Sequence, residues 1–471
     1  MSATTPAPVA VADLGRVHLL GIGGVGVSGV ARLLRARGVQ VSGTDAADSE
    51  TLHRLADLGV RVVVGHDPAN LGDLGPGDTL VVSSAVRPSN PELLAARERG
   101  LRVLHRSQAL AALMTGRAGI AVAGTHGKTT TSSMLAVALT EAGLDPSYAI
   151  GGELTGGSDG GAREGAGPFV AEADESDGSF RAYAPVVDVV TNVEPDHLDH
   201  YGTPEAVVAA FEEFVERLQP GGLLVACADD PGARRLAQSA RGRGVRVRTY
   251  GTAADADVRL ERVRDGARPS ALLHEGADAV GELRLRVPGR HNLLNAAAAY
   301  AAAVEVGAGP AAVLAGLAAF GGARRRFEHK GEAAGVRVVD DYAHHPTEVE
   351  ALLRAARPVA DGGRVVAVFQ PHLVSRTRAF AAEFGRALGL ADDVVVLDVY
   401  VAREDPDPAV TGELVARAVP LPAEHVAFVP ERAGAAAAVA ARVRPGDLLL
   451  TIGAGDVTRV GPEVLELLAA R

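Results

Sequence analysis

The most pointed chemistry in this chain lies in one run, Gly124-Thr125-His126-Gly127-Lys128-Thr129-Thr130, which follows directly on the apolar residues 120–123. A strand that enters a glycine-rich turn and then a helix aims several backbone N–H groups at one point, and the helix dipole favours an anion there. Lys128 would reach the outer phosphates of ATP, and the Thr129 hydroxyl would sit on Mg²⁺. The full phosphate-loop pattern asks for glycine five residues before Gly127, where this chain has Val122, so the match is to a shorter variant. Only Lys128 and Lys330 are lysines among 47 basic residues. A lysine inside this loop is therefore not incidental: a compact ammonium fits between phosphates where a planar guanidinium does not.

A phosphate site of this kind needs metal partners. Glu172 ends the apolar residues 169–171 and opens the acidic run Glu172-Ala173-Asp174-Glu175-Ser176-Asp177. A second strand end carries Thr191-Asn192-Val193-Glu194-Pro195-Asp196-His197. Strand ends at the carboxyl edge of a parallel sheet line the ligand crevice. Glu172 suits Mg²⁺, which prefers oxygen; His197 is a second candidate ligand, with a solvated loop as the bland alternative.

The run Gly21-Ile22-Gly23-Gly24-Val25-Gly26 also follows a strand and opens a helix, and Asp45 comes nineteen positions after Gly26. This fits a dinucleotide fingerprint, and equally a cradle for the diphosphate of a nucleotide-sugar. Further along, Asn292 and Asn295 offer both donor and acceptor to an adenine edge, while Asn292 alone reads as a helix cap. Arg324-Arg325-Arg326 suits a phosphate that changes hands, or else is a surface charge run. Asp340-Asp341-Tyr342-Ala343-His344-His345 and Phe369-Gln370-Pro371-His372, with Arg376 close behind, end two strands and would face one cleft.

These motifs require strands and helices in alternation. The first segment reads as strands at 17–21, 39–42, 60–64 and 79–83, a short one at 103–104, and a helix at 28–37. The second has strands at 119–123, 169–173, 186–191 and 223–226, short strands within 258–287, and helices at 130–142 and 292–306. The third has strands at 336–340, 364–369, 394–397 and 448–452. The expected fold is α/β in three domains: a Rossmann-like domain over 1–113, a central P-loop ATPase-like domain with a mainly parallel sheet over 114–321, and a C-terminal Rossmann-like domain over 322–471. Residues 159–167 are glycine-rich and read as a loop.

Composition agrees. Of 471 residues, 47% are hydrophobic and only 4% aromatic, so cores must come from Ala, Val and Leu, the habit of α/β proteins. A single cysteine, Cys227, excludes an internal disulfide and a multi-cysteine zinc site, and fits a reducing, cytoplasmic setting. A net charge of −11 argues against general nucleic-acid binding. Residues 1–13 lack the basic start of a signal peptide, and no apolar run is long enough for membrane insertion.

Together the motifs resemble the Mur ligases, and within them the alanine-adding branch. The likeness runs through Gly21–Gly29, Ala123–Thr131, Glu172–Asp177, Thr191–His197, Gly289–Asn295, Arg325–Phe327, Asp340–Glu348 and Phe369–His372, in that order. The resemblance implies that the lactyl carboxylate of UDP-N-acetylmuramate is phosphorylated by ATP and then joined to L-alanine, in a monomer or homodimer. It implies nucleotide contacts from residues 124–130, Asn292, Asn295, Arg326 and Asp341. It implies Thr129, Glu172 and His197 at metal, and Lys128, Glu172, His197, His344 and Arg376 in catalysis. The UDP-sugar would use Gly23, Gly24, Val25, Gly26, Asp45, His66, Ser83, Ser84 and Arg106, and the amino acid Tyr342, His344, His372 and Arg376. Many members have arginine where this chain has Leu373, which removes one cation beside the amino acid. No lysine lies between Lys128 and Lys330, so the carbamylated lysine of related ligases is absent here. A recycling ligase that adds a tripeptide is the nearest rival; an NAD-dependent dehydrogenase would leave Lys128 unexplained, and a nucleotide-dependent switch would bind ATP without turnover dependent on L-alanine.

Overall fold

The computed structural model describes residues 9–157, 160–402 and 404–470. Of the stretch 1–13, residues 1–8 lie outside these, as does Asp159 of the glycine-rich loop; the remainder of that loop includes the short strand Ala162–Arg163. The fold is α/β in three domains, each built on its own sheet. The first sheet is wholly parallel, in the order Arg61–Val64, Val41–Asp45, Val17–Leu20, Thr79–Val82, Arg102–His105. Chain order reverses at Val17–Leu20, so a crevice opens at the carboxyl end of that strand, where Gly21–Gly26 begins.

The second sheet has ten strands. Its centre is parallel, in the order Arg246–Gly251, Leu223–Cys227, Val187–Val190, Gly119–Ala123, Phe169–Glu172, Ser147–Ala149. Every residue of Gly119–Ala123, Val187–Val190 and Leu223–Cys227 is buried. Strands covered on both faces read as continuous apolar runs, which is why they stand out in the sequence. Asp188 is the exception: it sits fully buried in the middle of Val187–Val190 with no partner for either oxygen among the described residues.

The third sheet runs Glu328–Ala333, Val336–Asp341, Leu448–Ile452, Val365–Phe369, Asp393–Leu397, Val426–Val429, parallel except for its first pair. Apolar clusters cover both its faces, one around Phe369 and Phe384, the other around Val366, Val395 and Leu449.

All three helices given bounds above start earlier than expected, Arg290–Glu305 by two residues. Val25–Ala36 takes in the end of the first glycine loop, and Lys128–Glu141 takes in the lysine of the second. Gly127, in the left-handed region, lets the chain turn directly into Lys128–Glu141. The strands Ser147–Ala149, Arg246–Gly251, Glu328–Ala333 and Val426–Val429 were not expected. The described chain divides into two compact units. One holds the chain up to Glu261 with Leu272–Glu282 and Leu294–Ala319; the other holds Arg262–Ala271, Leu283–Leu293 and everything from Phe320 on. Among the described residues, no helix is long and apolar enough to cross a membrane.

Candidate functional site

In the first unit the phosphate loop takes its shape from two glycines. Gly124 has φ +131°, and a Cβ there would run into the Thr191 hydroxyl. Gly127, at φ +82°, ends the loop as the N-cap of Lys128–Glu141, and a Cβ there would meet Asn295 Oδ1 at 2.7 Å. Only glycine adopts such backbone without strain. The neighbouring strand end pins the loop from one side. Asn192 Oδ1 accepts from His126 N–H at 2.8 Å, Asn192 Nδ2 donates to His126 O at 3.2 Å, and Asn192 O accepts from Thr125 N–H at 3.2 Å. The Thr191 hydroxyl donates to His126 O as well. Sequence reasoning placed Thr191 and Asn192 only as strand-end residues; their clamp on the loop is long-range and has no local signal.

Lys128 Nζ donates to Gly124 O at 2.7 Å and to Glu175 Oε1 at 2.9 Å. Burial works against its charge, but Glu175, Asp174 and Glu172 outweigh that and hold its pKa above the ordinary lysine value. Thr129 Oγ1 donates to Glu172 Oε1 at 3.2 Å, and Glu172 Oε2 accepts from Gly151 N–H at 2.8 Å. His197 occupies the left-handed region at φ +53°, with Nε2 3.7 Å from Glu175 Oε1 and 3.6 Å from Asp196 Oδ2. Its Nδ1 is buried without a partner among the described residues, as is Glu175 Oε2. Strained backbone of this kind is kept where surrounding structure imposes it, commonly at functional sites. Thr129 and Glu172 offer adjacent hard oxygens of the kind Mg²⁺ prefers, whereas Glu175 is taken up by Lys128.

The acidic run divides its work. Glu172 and Glu175 turn to Thr129 and Lys128, whereas Asp174 and Asp177 turn to the first domain. Arg106 Nη2 donates to Asp174 Oδ2 at 2.9 Å, and its Nη1 lies 3.3 Å from where a Cβ on Gly26 would stand. The Ser84 hydroxyl donates to Asp177, and His105 Nε2 lies 3.5 Å from the same carboxylate. The predicted residues Gly26, Ser84 and Arg106 are thus brought to the acidic run that also faces Lys128. Asp177 and His105 were not foreseen as part of this bridge.

At the first glycine loop, Asp45 Oδ2 accepts from Gly23 N–H at 2.8 Å. This carboxylate, which stands at fingerprint spacing, holds the loop itself in this structure. Gly24 caps Val25–Ala36 from an extended backbone, and Val25 is exposed. His66 lies beyond Arg61–Val64, with Nδ1 3.1 Å from Thr44 Oγ1. Ser83 follows Thr79–Val82 at the same carboxyl edge.

The second unit has its own cluster. Asp341 accepts from Phe327 N–H at 2.7 Å and Ala343 N–H at 2.8 Å, and burial pushes its pKa up to about 6 against the pull of Arg326. Two of the three arginines meet at the Tyr342 ring. Arg325 donates to Gly453 O and to Asp340 Oδ2, so it braces the sheet end, and it lies over the Tyr342 ring at 4.8 Å; Arg326 lies over the same ring at 5.3 Å. His344 Nδ1 is 3.0 Å from Tyr342 O, and the His344 and His372 rings are 6.1 Å apart. His372 stacks on Tyr400 at 5.9 Å and 14°, and Arg376 is buried on Val374–Leu388. Tyr400 is new to the site; it follows a strand, Asp393–Leu397, and nothing in its local sequence marks it. Leu373 caps that helix at φ +73° and is buried. Of the two asparagines, Asn295 lies over the phosphate loop in the first unit, and Asn292 in the second donates to Pro288 O at 2.7 Å.

Comparison with known proteins adds to this geometry. Residues 16–118 match the family model described as Mur ligase family, catalytic domain; residues 122–303 the Mur ligase middle domain; and residues 325–455 the Mur ligase, glutamate ligase domain. The chain is 82% identical to a UDP-N-acetylmuramate–L-alanine ligase of Kineococcus radiotolerans, over 98% of each chain. It is 58% identical to that of Saccharopolyspora erythraea, over 96% of this chain and 93% of the relative. Among solved structures it is similar to the UDP-N-acetylmuramate–alanine ligase of Thermotoga maritima, with a TM-score of 0.81 at 30% identity, covering 97% of this chain and 99% of the other.

Proposed function

The chain belongs to the Mur ligase family, and from that premise we propose that it is an ATP-dependent UDP-N-acetylmuramate–L-alanine ligase of peptidoglycan precursor synthesis. The structural observation that carries the reading is the two-sided acidic run. Through Glu175 and Glu172 it meets the phosphate loop, and through Asp174 and Asp177 it meets Arg106 and Ser84 of the first domain. A phosphate donor and a sugar-nucleotide carboxylate would thereby be brought to one place.

In this reading the first domain, over 1–113, holds the UDP-sugar, the central domain, over 114–321, holds ATP, and the C-terminal domain, over 322–471, presents L-alanine. Two anions must meet when the lactyl carboxylate attacks the γ-phosphorus. Lys128 and the backbone N–H groups of the loop offset their repulsion and stabilise the charge that gathers on the transferred phosphoryl oxygens. Mg²⁺, held by Thr129 and Glu172 with His197 nearby, would supply further neutralisation of phosphate charge. ADP leaves, and the carboxylate becomes an acyl phosphate. The alanine amine then attacks the acyl carbon, and the tetrahedral intermediate collapses with loss of inorganic phosphate and the amine proton. His344, His372 and Arg376 are the polar groups proposed to hold the amino acid, and Asn292, Asn295, Arg326 and Asp341 the nucleotide.

The test is phosphate release measured with UDP-N-acetylmuramate, ATP and each amino acid in turn, alongside the tripeptide L-alanyl-γ-D-glutamyl-meso-diaminopimelate. Release that depends on L-alanine supports the assignment. Release that depends on the tripeptide and ignores L-alanine would make the chain a recycling ligase instead.

A further inference from the structure

Behind the carboxyl edge of the first sheet lies a buried polar chain that the reaction described above does not use. Its centre is Glu92, near the start of the helix Pro91–Glu98 and 0% exposed. Glu92 Oε2 accepts from His18 Nε2 at 2.9 Å and from the Thr44 hydroxyl at 3.0 Å. Its Oε1 accepts from Asp67 N–H at 3.0 Å and Asn70 Nδ2 at 3.1 Å. Burial alone would raise the pKa of this carboxyl, but the hydrogen bonds and the attraction of His18 outweigh it and hold it below the ordinary value. Glu92 is therefore an acceptor only.

The order of protons follows. Thr44 has one hydroxyl hydrogen, and it points to Glu92. Toward His66 Nδ1, 3.1 Å away, Thr44 Oγ1 has only lone pairs to offer, so Nδ1 must carry the hydrogen. His66 Nδ1 also lies 3.5 Å from the acceptor Glu92 Oε1, in keeping with a hydrogen on Nδ1. In the neutral ring Nε2 then holds a bare lone pair. The His66 side chain remains 26% exposed while Glu92 is sealed beneath it. It stands at the same sheet edge as Asp45 and the first glycine loop, tied there by Gly65 N–H donating to Asp45 O at 2.7 Å.

We propose that Glu92, acting through Thr44, is a positioning residue that fixes His66 in its Nδ1–H form and makes Nε2 a hydrogen-bond acceptor for the nucleoside of a nucleoside diphosphate. The inference rests on reading the first domain as the UDP-sugar site. The ligand group it selects is a donor: the imide N–H of uracil or a ribose hydroxyl. Adenine has no imide, and cytosine carries no hydrogen on the corresponding ring nitrogen.

The experiment has two parts. Nitrogen-15 spectra of the histidine-labelled full chain, with His66 assigned from its loss in His66→Leu, report the tautomer without any ligand. The Nδ1–H form is expected. In Glu92→Gln the amide can donate to Thr44 and turn its hydroxyl round, so the Nε2–H form should appear and UDP binding by calorimetry should weaken roughly ten-fold. On the wild-type chain, 3-methyl-UDP and 2′-deoxy- and 3′-deoxy-UDP separate imide from ribose. One of them should bind roughly ten-fold more weakly than UDP, and this difference should vanish in His66→Leu. These wild-type measurements decide the matter even where Glu92→Gln does not fold. An Nε2–H tautomer in the wild type with UDP still bound overturns the relay alone. Failure of UDP to bind a chain that has the Nδ1–H tautomer overturns the ligand assignment together with the reading of the first domain.

Discussion

Arg106 and Asp174 meet at 2.9 Å, and their contact joins the first residue of the helix Arg106–Met114 to the acidic run that begins at the end of the strand Phe169–Glu172. The pair is only partly buried, at 18% and 35% side-chain exposure, so solvent screens it and its worth to stability is small, about 1 kcal/mol or less. Its consequence is positional. A double-mutant cycle of Arg106→Ala and Asp174→Ala should show coupling in KM for UDP-N-acetylmuramate larger than in thermal stability. Equal coupling in both would reduce the pair to a brace.

Lys128→Ala should lower turnover at least 10²–10³-fold, the usual scale for losing one charge-stabilising donor. The fold should survive, because burial already raises the pKa of Glu175 and that residue can take up a proton once its partner is gone. Near-normal phosphate release from a folded variant would remove Lys128 from the mechanism. Circular dichroism and a steady-state assay on the same sample decide it.

Gly127→Ala should act on the nucleotide site from the loop side. The left-handed backbone costs an alanine about 1–2 kcal/mol, and its methyl would press on Asn295. Loss of ATP affinity, with affinity for the sugar nucleotide retained, is the expected pattern in calorimetry.

Much of the phosphate site was legible because its chemistry is contiguous: strand, glycine turn, lysine and threonines stand in one run. The rest of the site was not, for physical reasons. Thr191 and Asn192 act across two strands, and Glu92 sits on a helix whose sequence looks like any surface helix. Asp45 shows in the sequence only as an acidic residue at fingerprint spacing, and the hydrogen bond it accepts from Gly23 N–H has no local signal. The strands Glu328–Ala333 and Arg246–Gly251 carry charged residues and are only partly buried, so they lack the apolar runs that made the central strands readable.

Asp188 provides a pH test. Burial alone raises its pKa well above 3.8, with no partner among the described residues to oppose it. The unfolded chain ionises Asp188 near its ordinary value while the folded chain keeps it neutral, so its contribution is full below that value and is lost as pH rises toward the folded pKa. Asp188→Leu should therefore gain stability over the wild type as pH climbs from 3 toward 7. Parallel urea-unfolding curves across that range would contradict the neutral buried acid.

The clamp of Thr191 and Asn192 on the phosphate loop has a consequence for heat and entropy. A loop already held by several hydrogen bonds before any nucleotide arrives has little disorder left to lose, and the ordering cost falls on folding instead of on binding. Cutting the clamp with Asn192→Ala would return that cost to the ligand. ATP association would then carry a larger unfavourable entropy, although no atom that touches the phosphates had been changed.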